Sequence, residues 1–125
     1  GIDNRTVGFR KVGHGAATRV ESRIPGADAN SYLAFAGVIA GGLYGIRSSL
    51  ELAGPFSGDG YRDPQLDRIP WNLPDAIALW EHSSLARECF GDDVHHWILR
   101  SAQNEWEAFN QSVTDWELMR YFERI

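Results

Sequence analysis

Arg19-Val20-Glu21-Ser22-Arg23 alternates charged and uncharged side chains over five successive positions. Strand side chains point to opposite faces in turn, so Arg19, Glu21 and Arg23 share one face, and Val20, Ser22 and Ile24 the other. Pro25 and Gly26 close the strand, predicted over residues 17–24. Residues 6–11 (Thr-Val-Gly-Phe-Arg-Lys) read as its partner, joined through a Gly13-His14-Gly15 turn. Two explanations fit the charged face. The pattern alone favours a solvent-facing strand whose charges pair among themselves, since ionic networks are commonly structural. The other is a bound ionic ligand, in which arginines grip phosphate oxygens in forked geometry and Glu21 binds Mg²⁺ or Mn²⁺ through oxygen. Arg5 and Arg10, on the preceding strand segment, would add to that pocket, and phosphoryl transfer needs such charge neutralisation.

After the strands the pattern turns helical. Asp28 or Asn30 caps a helix running to about Leu52. Its Leu33, Phe35, Val38, Ile39, Leu43 and Ile46 cover several faces, with glycines and alanines between, as in helices that are buried. A chain of 125 residues has little material to surround it, so its neighbours are expected to lie elsewhere and the chain alone to self-associate. Residues 53–72 form a long Gly/Pro/Asp-rich loop, and loops of that length are usually functional or mobile. Pro74 suits the first turn of a helix over 74–81. Ser83 or Ser84 caps a short helix ending at Gly91, and Asp92 caps the longest one, about 93–113. In the latter, Val94, Ile98, Ala102, Trp106, Phe109 and Val113 make one apolar stripe. Thr114 or Asp115 caps a last helix bearing Trp116, Met119, Tyr121 and Phe122. The chain is thus read as α+β: two N-terminal strands followed mostly by helices.

Composition narrows the function classes. A hydrophobic content of 43% and five tryptophans argue for a folded domain with a real core. Residues 1–24 hold five basic and two acidic groups, the remainder seven and fifteen. A basic head on an acidic body points to a local anion site, not to the spread basic face that nucleic acid requires. The longest apolar run, residues 32–46, is too short for a bilayer span and carries four glycines. No signal-peptide pattern is seen, and the single cysteine, Cys89, fits a reducing compartment. A soluble, cytoplasmic protein without a membrane partner is expected.

Asn4-Arg5, Arg10, Arg19-x-Glu21-x-Arg23-x-Pro25, Asp28-Ala29-Asn30 and Tyr32-Leu33-Ala34 together resemble the late signature of the glutamine synthetase family. That signature has an Asn-Arg pair, an Arg-x-Glu-x-Arg strand and an Asp-Ala-Asn-Pro-Tyr-Leu helix start. The segments 76–80 and 106–109, and the closing Val113-Thr114-Asp115-Trp116-Glu117 and Arg120-Tyr121-Phe122, extend the resemblance over essentially the whole chain. It implies that residues 1–125 are the C-terminal portion of an α+β catalytic domain that follows a β-grasp-like domain, in a homo-oligomer of stacked rings. The implied reaction makes γ-glutamyl phosphate from ATP and glutamate, then lets ammonia or another small amine displace the phosphate, a ligase step of glutamine biosynthesis and nitrogen metabolism. Glu21 matches a carboxylate ligand of a catalytic Mg²⁺ or Mn²⁺. Arg5 and Arg23 match arginines that meet the transferred phosphoryl group, Arg23 also lying near the glutamate substrate. Arg10 and Arg19, with Arg5, match the ATP site.

The match has departures. Ser31 replaces a usual proline, and the turn at 12–16 is short and lacks a lysine often found there. Tyr61 falls near a tyrosine that some bacterial members adenylylate, but its neighbours Gly60, Arg62 and Asp63 fit that site poorly, which favours an ordinary loop residue. The remaining metal glutamates, the ammonia-site acid and the flap over glutamate match nothing in this chain and are expected upstream, so the chain by itself is expected to lack ligase activity. The closing Val-Thr-Asp-Trp-Glu and Arg-Tyr-Phe-Glu-Arg-Ile look more like the branch that ligates larger amines. A non-catalytic structural or regulatory homologue is the alternative.

Other candidates carry less. His95-His96 cannot both face one site on a helix and have no HExxH pattern, so an ordinary, partly exposed pair is expected. His14 reads as a turn residue and Cys89 as a packed one. The tryptophans read as packing residues, not as a stacking platform.

Overall fold

β1 (Phe9–Val12) and β2 (Arg19–Ser22) pair antiparallel in the computed structural model, which describes residues 1–124. The register sets Arg10 opposite Glu21 and Val12 opposite Arg19. Both strands are shorter than the alternation predicts. Pairing continues one step further, where the Arg23 N–H donates to the Gly8 carbonyl at 2.8 Å, but residues 5–8 turn away. A 3₁₀ turn at Gly15–Ala17 takes up the start of the second predicted strand. Gly13, at φ 79°, begins the connection, and a Cβ there would collide with the Ala17 carbonyl oxygen.

α1 (Ser31–Arg47) starts where Asn30 accepts from the backbone N–H groups of Tyr32 and Leu33, at 3.0 and 3.2 Å. It stops five residues short of Leu52. Ser49 takes φ 48°, the Leu50 N–H reaches back to the Gly45 carbonyl, and the Ser49 N–H to that of Ile46. This pair of bonds is the Schellman arrangement, which ordinarily has glycine where Ser49 stands. Ser49→Gly should therefore stabilise the chain by about 0.5–1 kcal/mol, the relief of left-handed strain outweighing glycine's extra unfolded-state entropy. A rise in urea midpoint checks this; a fall contradicts it.

The described residues divide into two compact units, the first spanning Gly1–Ile69 and the second beginning at Pro70. The real core expected from composition is not found. Among the described residues only Val12, Ala86 and Leu99 are buried apolar side chains. No residue of α1 is buried, and Tyr32 is 85% exposed.

In the second unit, α2 (Leu73–Glu81) packs on α3 (Ser84–Asn110), and α4 (Asp115–Tyr121) follows. Asn72 caps α2 with Pro74 in its first turn, and Ser83 caps α3. Thr114 and Glu117 form a reciprocal capping box on α4. The two helices predicted around Gly91 are one element broken there, at φ 76° and ψ 162°. His95, expected to be partly exposed, is 1% exposed, while Val94, the predicted start of the stripe, is largely open. The inward face of α3 is thus set one residue on from that predicted start, with His95 and Leu99 turned toward α2. Cys89 is exposed, contrary to the expectation that it packs. Ala86 and Phe90, four residues apart, occupy the inward face of that first stretch of α3 and leave Cys89 beside it.

Trp80 stacks on His95, Trp106 on Phe109, and Trp116 meets Tyr121 edge-on, while Trp71 and Trp97 are exposed. Among the described residues no helix is long and apolar enough to cross a membrane.

Candidate functional site

Because β1 and β2 pair in this register, Arg10 and Glu21 stand directly opposite each other on one face. The Arg10 guanidinium takes the Glu21 carboxylate in a fork, Nε to Oε1 at 3.0 Å and Nη2 to Oε2 at 2.9 Å. Two residues further on, just past the end of β2, Arg23 Nη1 adds a bond to Oε1 at 3.1 Å. Arg10 is the more enclosed partner, with a side chain 13% exposed against 35% for Glu21. Arg23 Nε donates to the Arg5 carbonyl at 3.2 Å, which ties the charged face to the turn before β1.

The fork from Arg10, then the bond from Arg23, holds the Glu21 carboxyl down to about 2. The same fork pushes Arg10 above its ordinary value. A depressed carboxylate contributes stability that is complete above its unfolded pKa and is lost as pH falls through the folded one. The contribution of this cluster should therefore be full above about pH 4.5 and vanish on the way down to about pH 2. Glu21→Gln should flatten that part of the stability profile. Identical profiles for the two proteins between pH 5 and pH 2 would remove the cluster from the acid response.

Glu21 is suited to one bond with a hard cation. An ionised carboxylate offers about four lone-pair positions. Arginines fill two on Oε1 and one on Oε2, leaving a position on Oε2 for Mg²⁺ or Mn²⁺. Among the described residues no group of three or more His, Cys, Asp or Glu could hold a metal by itself. Any such ion needs further oxygen ligands from outside this set.

The predicted arginines separate into three places. Arg10 and Arg23 both bind Glu21. Arg5 lies in the turn before β1, not on the strand, and lines an open groove of about 270 Å³ together with Arg23. Arg19 shares the strand face but is exposed, its Nη1 3.3 Å from the Ala17 carbonyl. His14 is an exposed turn residue and His95 is committed to helix packing.

Sequence patterning missed what pins the long loop. Asn4 Oδ1 accepts from the Thr6 N–H at 2.9 Å and the Thr6 hydroxyl at 2.7 Å, while Asn4 Nδ2 donates to the Gly58 carbonyl at 3.0 Å. Thr6 Oγ1 in turn accepts from the Gly60 N–H at 2.8 Å. A Cβ on Gly60 would lie 2.5 Å from the Thr6 carbonyl oxygen, so only glycine fits. The loop so held brings Tyr61, Leu66 and Arg68 to the groove of Arg5 and Arg23. Gly58 and Gly60 were visible as loop glycines, but nothing in the spacing tied them to Asn4.

A family model described as glutamine synthetase, catalytic domain, matches residues 1–121. The chain belongs to the glutamine synthetase family. Over all of its 125 residues it is 48% identical to a gamma-glutamylethanolamide synthetase of Streptomyces coelicolor, of which it covers 27%. Over its full length it is 40% identical to a glutamate–isopropylamine ligase of a Pseudomonas species, covering 28% of that protein. Against a glutamine synthetase of Thermotoga maritima the identity is 31%, over 96% of the chain and 29% of the relative. The chain thus spans little more than a quarter of the length of these curated relatives. As a glutamine synthetase catalytic-domain sequence with two antiparallel strands followed by helices, it has the expected α+β class.

Proposed function

We propose that the chain is the C-terminal portion of the catalytic domain of an ATP-dependent glutamate–amine ligase. The observation that carries this reading is the ionised Glu21 gripped by Arg10 and Arg23, next to a groove where Arg5 joins Arg23. In the proposed reaction the γ-phosphoryl group leaves ADP for the γ-carboxylate of glutamate. An amine nitrogen then attacks that carbonyl, the C–O bond to phosphate breaks, and the nitrogen gives up a proton. Arg5 and Arg23 offer guanidinium donors to the phosphoryl oxygens as charge builds on them, and Arg23 also meets glutamate. Arg10 and Arg19 serve the ATP side, Arg10 by holding Glu21 in place. A divalent ion on Glu21, Mg²⁺ or Mn²⁺, would neutralise phosphate charge.

The acceptor is proposed to be an organic amine in preference to ammonia. Support comes from the higher identity to the gamma-glutamylethanolamide synthetase than to the Thermotoga maritima glutamine synthetase. The full protein is proposed to work as a homo-oligomeric ring in the cytoplasm, and the exposed apolar side chains of α1 suit burial against further parts of it. This chain alone is proposed to be inactive. Glutamate- and ATP-dependent phosphate release should therefore appear with the full-length protein across a panel of ammonia, ethanolamine, isopropylamine and polyamines, with organic amines preferred. Release by the purified 125-residue chain above background would refute the inactivity. No release from the full-length protein with any amine would leave the non-catalytic homologue as the answer.

A further inference from the structure

We propose that Arg68 is a third phosphoryl-binding arginine of the same groove, a role that rests on the ligase reading above. Four ion pairs form among the described residues, and they engage Arg10, Arg23, Arg62 and Arg87. Arg5 and Arg68 have no carboxylate partner among these residues, yet both line one concavity with Arg23, whose own charge is shared with Glu21. Asp67 lines the groove too, but makes none of those ion pairs. Three guanidiniums against one unengaged carboxylate favour an anion in the space between them.

The position of Arg68 is built. Its Nη2 donates to the Tyr61 carbonyl at 2.7 Å, with a longer contact to that of Asp63 at 3.5 Å. The Tyr61 segment is fixed in turn, since the neighbouring Gly60 N–H is bound to Thr6 beside Arg5. The guanidinium thus hangs from a carbonyl by one nitrogen and keeps other donors for a ligand. A phosphoryl group, with three oxygens to satisfy, is the ligand such a set suits, whether it belongs to ATP or to the acyl phosphate and the inorganic phosphate it yields.

The test uses the full-length protein with Arg68→Gln and Arg68→Lys, and inorganic phosphate as calorimetric probe. Arg68→Gln should lower kcat about 10- to 100-fold, the worth of one hydrogen bond to a charged group, and leave the KM for the amine unchanged. Arg68→Lys, which keeps the charge, should recover most of the loss. Weaker phosphate binding with an unchanged KM for ATP assigns the contact to the acyl phosphate; a raised KM for ATP with unchanged phosphate binding assigns it to the nucleotide. Either supports the proposal. Arg68→Gln with unchanged melting, kcat, KM for ATP and phosphate affinity overturns it. If the unsubstituted protein releases no phosphate, the ligase reading falls, and calorimetry with inorganic phosphate and with ATP still decides on Arg68: equal affinities for both reject it, a weakened one upholds it.

Discussion

Glu21→Gln in the full-length protein is expected to lower glutamate-dependent phosphate release by about 10²–10³-fold, the scale on which single charge-stabilising groups act in a transition state. The substitution keeps shape and removes charge. An amide oxygen can still accept two bonds, but its NH₂ faces guanidinium nitrogens that only donate. The Arg10 fork, 3.0 and 2.9 Å in length, cannot survive intact. Arg10 Nε and Arg23 Nη1 on one side and Arg10 Nη2 on the other now share a single acceptor oxygen, so at least one guanidinium bond is lost. The metal bond proposed for the carboxylate would be lost at the same time. In the proposed reaction these effects bear on the phosphoryl group, so the change should fall in kcat more than in the KM for the amine. Arg10→Lys, which holds Glu21 by a point charge in place of a fork, should cost a smaller factor. A Glu21→Gln protein with wild-type kcat would reduce the cluster to a surface ion network, the explanation that strand alternation alone favours.

The largest effect on stability is expected from His95→Ala, at about 3 kcal/mol, from the cavity left by a ring 1% exposed together with its lost hydrogen bond. His95 Nε2 lies 2.7 Å from the Trp80 carbonyl oxygen, and a carbonyl only accepts, so Nε2 carries the proton. The Trp80 indole Nε1 returns the favour to the His95 carbonyl at 3.0 Å. The two rings stack with centroids 5.4 Å apart and planes 10° from parallel. One pair of residues thus joins the C-terminal turn of α2, where carbonyls lack helical partners, to the middle of α3. Trp80→Phe keeps most of the ring contact and removes the indole donor, so it should cost only about 1 kcal/mol. Urea titration followed by far-UV dichroism separates the two. Equal costs would mean that the hydrogen bonds, not packing, hold the helices.

Much of the fold was readable from chemistry that acts over a few residues. Asn30, Ser83 and Thr114 cap where their side chains predict, and Gly91 breaks the helical run at the expected residue. The register that opposes Arg10 to Glu21 does not follow from the Gly13-His14-Gly15 turn, because the 3₁₀ turn at Gly15–Ala17 lengthens the connection. What escaped depends on partners distant in sequence. No periodicity distinguishes His95 from His96; only the approach of Trp80 makes the first a buried donor. The end of α1 is not legible because Ser49 takes a positive φ, rare for serine, with no glycine to announce it. Arg5 and Arg23 were singled out through a family signature, whereas Arg68 lies in a loop whose course is set by Asn4 and Thr6.

The tie from Asn4 to Gly58 spans 54 positions, whereas the Arg10–Glu21 fork spans 11. Closing the longer loop costs about 1.4 kcal/mol more chain entropy, from the logarithmic growth of closure cost with length. The hairpin can therefore form early from local contacts, and the loop docks onto it afterwards. The groove of Arg5, Arg23 and Arg68 comes into being only with that last closure, so a nascent chain carries its ionic strand well before it carries a pocket. Amide exchange at Gly60 should report the order, opening more readily than the amides bonded within the β1–β2 ladder.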